Sequence, residues 1–134
     1  VAATAPVMIS KHAIPRLRPG ASIINISTIN ASTQPAAGVA AYVAGKGALE
    51  QLSAIAAIEL GPRDITVNVV RPGVTDTDMQ RAANPDLAAR ERIAEATPLR
   101  RMGQPTDIAD VVAFLASPQG RWVTGQTITA SGGL

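Results

Sequence analysis

At 134 residues, 46% apolar, 16% charged and 2% aromatic, the chain has the size of one domain and must build its core from Ala, Val, Ile and Leu, as helix-packed parallel sheets do. Ten Arg and two Lys against ten acids give a net charge of +2 without a basic run, and one Tyr, one Phe and one Trp offer no stacking platform for nucleic acid. The absence of cysteine and a lone His12 exclude disulfides, thiolate chemistry, a metal constellation and a Ser-His-Asp triad.

Residues 1–17 read as a helix, with Val7, Met8, Ile14 and Leu17 at helical intervals and Pro6 near its start; "RPG" at Arg18 to Gly20 stops it. "SIINIS", Ser22 to Ser27, is a short β-branched run after a turn and predicts a buried strand. A polar loop from Thr28 to Gly38 leads into a second helix, about Ala40 to Leu60, with Leu49, Leu52, Ile55, Ala56 and Leu60 near one face. "ITVNVV", Ile65 to Val70, is the second strand, cut off by "RPG" at Arg71 to Gly73. Val74 to Gly103 is polar, with a helical middle from Asp86 to Ala96. Pro105 to Ser117 predicts a helix capped by Thr106 with a stripe of Ile108, Val111, Val112 and Leu115, and Thr127 to Gly133 a last strand. Alternating helices and strands imply one domain over residues 1–134, with right-handed crossovers and a parallel sheet covered on both faces.

The only tyrosine, Tyr42, stands four residues before Lys46 on the second helix, so both side chains can face one cleft. A free phenol titrates near pH 10, and a neighbouring ammonium favours the phenolate, which suits acid–base work near neutrality. A half-exposed tyrosine packed beside a solvated lysine gives the same spacing, so the pair alone leaves both readings open. The context narrows them. Ser27 and Thr28 end the first strand and Thr75 and Thr77 follow the second, all at the carboxyl edge where open parallel sheets bind ligands.

Together, "SIINIST", "YVAGK", "ELGPRDITVNVVRPGVTDTDM", "PLRRMGQPTDIADVVAFLAS" and "WVTGQTITASGG" resemble the short-chain dehydrogenase/reductase family over essentially the whole chain, closest in look to its ketoacyl-carrier-protein reductase and sugar or alcohol dehydrogenase branch. The resemblance implies an α/β, Rossmann-like parallel sheet with flanking helices, of which this chain supplies the C-terminal portion with about three strands. It implies an NAD- or NADP-dependent oxidoreductase interconverting a carbonyl and a secondary alcohol. Tyr42 would be the acid or base, Lys46 would hold the nicotinamide ribose, and Thr28, with Ser27 as its substitute, would orient the substrate. Pro72, Gly73, Val74, Thr75 and Thr77 would border the nicotinamide, and residues 78–103 would form the substrate lid.

The same resemblance places Ala2 where many members carry a proton-relay asparagine. It also leaves the glycine-rich dinucleotide-binding half outside the chain, so a family-derived scaffold without catalytic activity is the second expectation. The expected partners are a small carbonyl or alcohol substrate and further copies of the chain, as a homodimer or homotetramer formed through the Tyr42 helix and the one before it. Ala48, Ala54, Ala56 and Ala57 would allow close helix approach there. No uncharged apolar run nears the roughly 18 residues of a membrane span, no metal is expected, and a cytoplasmic location is.

Overall fold

The structure, a computed structural model, describes residues 3–31 and 37–134. Position 2, the relay position, and residues 32–36 of the loop before the Tyr42 helix lie outside the described residues. Helix α1 spans Thr4–Ala13, with Pro6 in its first turn, where a missing N–H is tolerated. A 3₁₀ turn at Ile14–Arg16 follows it.

Three strands make the sheet: β1, Ser22–Ile26; β2, Thr66–Pro72; β3, Thr127–Ala130. They lie in the order β1-β2-β3, all parallel, with Val67 opposite Ile23 and Val70 opposite both Ile26 and Ile128. The expected three-stranded, Rossmann-like sheet is therefore present. Strand β2 runs two residues further than "RPG" suggests, because Arg71 and Pro72 still pair with Thr129 and Ala130. Proline cannot donate to a ladder, and here it is the strand's last residue; the next N–H, of Gly73, donates to Ala130 O at 2.9 Å.

Helix α2 spans Ala40–Leu60 as expected, but a different stripe faces the sheet. Leu49, Ser53, Ala57 and Leu60 are buried, whereas Leu52 and Ile55 are exposed. Both sides of this helix are apolar, so hydropathy alone cannot tell them apart; the small residues Ser53 and Ala57 let the helix axis approach the strands. Ala57 and Ala56 thus pack in the core with Ile23 and Val67 and are not free for another helix. Ile14 and Leu17 join that cluster, while Val7 and Met8 face outward.

Between β2 and β3 lie α3, Asp78–Ala83, α4, Leu87–Ala96, and α5, Pro105–Ala116. The six-residue α3 was not expected. Thr77 Oγ1 accepts from the Gln80 N–H at 3.3 Å, which starts the helix with a capped first turn. Helix α5 is capped by Gln104 rather than Thr106, which lies inside the first turn.

The Asp107 carboxylate accepts from the Gln104 N–H at 2.6 Å and from both Arg101 Nη atoms at 2.6 and 2.8 Å. The Arg101 bonds, then the Gln104 bond, hold its carboxyl far below the ordinary value of 3.8. A depressed folded-state pKa stabilises above the unfolded value and is lost as pH falls below it. Asp107→Asn is therefore expected to lower the thermal midpoint at neutral pH, with the difference from the unsubstituted protein narrowing as pH drops below 3.8, read by melts across the acid range.

Helices α2 and α5 both pack on β1 and β2, yet make no extensive contact with each other, so they cover opposite faces. The sheet order steps the same way twice, from β1 to β2 to β3. Two like steps taken on opposite faces have opposite hands. The expectation of right-handed crossovers throughout thus holds for only one of the two connections.

Candidate active site

Beyond the carboxyl ends of β1 and β2 opens a cleft of about 970 Å³, the position and size expected for a small-molecule site. Tyr42, Lys46, Thr28, Pro72, Gly73, Val74, Thr75 and Thr77 all line it, as does Ser27. The residues expected to act in catalysis and to border the nicotinamide thereby line one cleft. The Tyr42 side chain is 43% exposed, and the Lys46 Nζ lies 5.9 Å from its ring centroid, within cation–π range. Lys46 Nζ also donates to Ile26 O at 2.6 Å, which ties the first turns of α2 to the tip of β1. An ammonium has three donors, and among the described residues one is used.

The two hydroxyls at the end of β1 have different surroundings. Ser27 donates to Glu50 Oε1 at 2.5 Å and turns toward α2. Thr28 Oγ1 donates to Asn30 Oδ1 at 3.2 Å and accepts from the Asn30 N–H at 3.3 Å, a local turn at the cleft wall. Past β2, Thr75 Oγ1 donates to Gly73 O at 3.1 Å, leaving its lone pairs to accept, whereas Thr77, accepting from Gln80, retains its own O–H to donate.

Gly73 is needed where it stands. A Cβ there would lie 2.6 Å from Ser131 Cα and 2.7 Å from Ser131 Cβ, since β3 closes against the end of β2. Gly73→Ala must push the two chain segments apart, at a cost of about 1–3 kcal/mol. We expect a lower denaturant midpoint at unchanged m-value, together with weaker ligand binding in the cleft.

The segment after β2 is anchored at its start. Asp76 accepts from Arg81 Nε at 3.0 Å and Nη2 at 3.2 Å, and from Arg90 Nη2 at 2.7 Å, so one carboxylate joins α3 to α4. The Arg81 bonds are the main reason its carboxyl sits below the usual range. Met79 and Leu87 stand outward, 79% and 70% exposed.

Sequence reasoning missed Glu50 and Arg71. Glu50 is buried under the cleft and accepts from Arg71 Nε at 3.1 Å and Nη2 at 2.6 Å. The available signal was its spacing, four residues after Lys46 and eight after Tyr42, which puts a carboxylate on the same helical stripe.

A parallel, helix-covered sheet with a polar-edged cleft beyond its strand ends defines a Rossmann-like α/β protein. Over residues 1–134 the sequence matches the family model described as enoyl-(acyl carrier protein) reductase, and the chain belongs to the short-chain dehydrogenase/reductase family. Dehydrogenase OXI1 of Cochliobolus heterostrophus is 43% identical over 136 residues, covering 97% of this chain and 57% of that protein. The 3-oxoacyl-(acyl-carrier-protein) reductase FabG of Staphylococcus epidermidis is 45% identical over 119 residues, covering 89% of this chain and 47% of that protein. Among solved structures, the angucycline C-6 ketoreductase LanV with bound NADP superposes with a TM-score of 0.90 at 40% identity, over 99% of this chain and 51% of that one. A dehydrogenase/reductase from Sinorhizobium meliloti 1021 does so with a TM-score of 0.87 at 45% identity, over 99% and 52%. The chain spans about half the length of the curated relatives it matches.

Proposed function

We propose that the protein carrying this chain is an NAD- or NADP-dependent oxidoreductase that interconverts a carbonyl and a secondary alcohol. The observation that carries the reading is the convergence of Tyr42, Lys46, Thr28 and the Pro72–Thr77 turn on one cleft. Its dimensions suit a nicotinamide with its ribose, and Lys46 and the hydroxyls of Thr75 and Thr77 along its wall offer polar partners. A nicotinamide bound there would supply or accept the hydride. LanV, crystallised with NADP, and BdcA, crystallised with NADPH, support this cofactor class.

The chain's own residues divide the remaining work. In reduction, the Tyr42 hydroxyl gives its proton to the carbonyl oxygen as carbon receives hydride; in oxidation, the phenolate takes that proton back. Thr28 orients the substrate oxygen in preference to Ser27: the Ser27 O–H is held by the buried Glu50 carboxylate at 2.5 Å, whereas the Thr28 O–H makes a longer, 3.2 Å bond to the neutral Asn30 amide oxygen that a substrate oxygen can replace. The two Lys46 donors left unused among the described residues hold ribose hydroxyls. Lys46→Met is expected to weaken nicotinamide binding about tenfold or more, the loss of a charged hydrogen-bonding partner, read by fluorescence titration of the full-length protein with NADH and NADPH. Unchanged affinity for both would sink the reading.

The assembly we assign is a homodimer or homotetramer in the cytoplasm, formed through α1 and α2. Val7, Met8 and Ile9 on α1 and Ile55 and Ile58 on α2 are exposed apolar side chains, Ile58 at 73%. They, with Ala48, replace the core-bound Ala56 and Ala57 as the contact residues.

A further inference from the structure

The geometry points to Glu50 as a positioning residue for the Tyr42–Lys46 site, the one carboxylate that holds the three cleft-forming segments in mutual register. The inference rests on the oxidoreductase reading and goes beyond it to a residue that touches neither substrate nor cofactor.

Glu50 shares its helical stripe with Lys46 and Tyr42, one and two turns away. Its Oε1 accepts from Ser27 Oγ at 2.5 Å, and Ser27 is the residue immediately before Thr28. Its two oxygens also accept from Arg71 Nε at 3.1 Å and Nη2 at 2.6 Å, and Arg71 immediately precedes Pro72 and Gly73. Arg71 Nη1 reaches on to Thr129 Oγ1 of β3 at 3.5 Å. The helix bearing the acid–base pair, the strand tip bearing the substrate hydroxyl and the turn bordering the nicotinamide therefore meet at one side chain. Burial raises the carboxyl's pKa, but the Arg71 and Ser27 bonds outweigh it and leave the group below its ordinary value, ionised at neutral pH.

A merely stabilising role explains this arrangement poorly. Only 8% of Glu50 is exposed, and a buried ion pair is often no better for stability than apolar residues of the same volume. What the pair adds is geometry: reacting groups misplaced by about 1 Å can cost on the order of a hundredfold in rate.

The experiment uses the full-length protein and two measurements. Glu50→Gln keeps the side chain's size and one acceptor but removes the charge facing Arg71. In steady-state kinetics, kcat is expected to fall about 10- to 100-fold, while the KM for the nicotinamide stays within about threefold, since Lys46 and the Pro72–Thr77 turn still contact it. In hydrogen exchange, the amides of Thr28, Ile29 and Gly73 are expected to exchange faster, while those of Ile23 and Ile24 hold. A folded Glu50→Gln protein with unaltered kcat and unaltered exchange overturns the inference. If the unsubstituted protein shows no nicotinamide-dependent turnover, the oxidoreductase reading fails, and the exchange pattern alone decides whether Glu50 sets the register. If Glu50→Gln does not fold, the double variant Glu50→Leu with Arg71→Leu removes both charges together. A kcat that stays low in that folded variant supports positioning, and one that returns to the unsubstituted level overturns it.

Discussion

Full-length Tyr42→Phe protein is expected to lose about 10²–10⁴-fold in kcat, the contribution of a positioned proton donor, while keeping its fold and its nicotinamide affinity. The separation follows from where the hydroxyl is. The ring is anchored on α2 and is 43% exposed toward the cleft, so removing one oxygen leaves helix packing untouched. Lys46 keeps its bond to Ile26 O, so the groups that would hold the ribose remain in place. Steady-state kinetics paired with a binding titration reads both halves: kcat collapses, the dissociation constant does not. Turnover within a few-fold of the unsubstituted protein would remove Tyr42 from the chemistry.

Leu115→Ala is expected to destabilise the protein by about 2–5 kcal/mol, the largest effect foreseen for a side chain outside the cleft. Leu115 is fully buried and is the only residue of α5 that is. The turn after it cannot collapse into the space left behind. Gly120 already lies so close that a Cβ on it would be 2.6 Å from Phe114 O and 2.9 Å from Leu115 Cα. The backbone at that corner is thus packed to its limit, and the methyl groups lost from Leu115 leave a cavity that stays open. Urea unfolding gives the number directly; a change below about 1 kcal/mol would mean that α5 repacks freely against the sheet.

Much of this was legible from the sequence because regular elements convert spacing into direction. Tyr42 and Lys46 could be placed on one face from their separation, and the hydroxyls and the Pro72–Thr77 turn from their position after strands. The parts that were not legible share a physical cause. Leu49 and Leu52 are equally apolar, and only the strand that α2 meets decides which is buried. Glu50, a carboxylate in mid-helix, reads as a solvated face until Arg71 and Ser27 arrive from sequence positions 21 residues after and 23 residues before it. Helix α3 is too short to show a period, and its existence depends on the Thr77 cap. The hands of the two crossovers leave no mark on any residue.

The connection from β2 to β3 bears on how the sheet closes. Strand β2 pairs with β1 across one excursion of the chain and with β3 only after a longer one that contains three helices. Neighbours so distant in sequence close slowly, because the entropy of the intervening loop is lost before contacts are gained. Until β3 docks, Arg71 and Pro72 have no partner strand on either flank, since β1 pairs only as far as Val70. Only when the four residues of β3 dock does Ser131 settle against Gly73, so this wall of the cleft is completed by a strand drawn in across the longer connection.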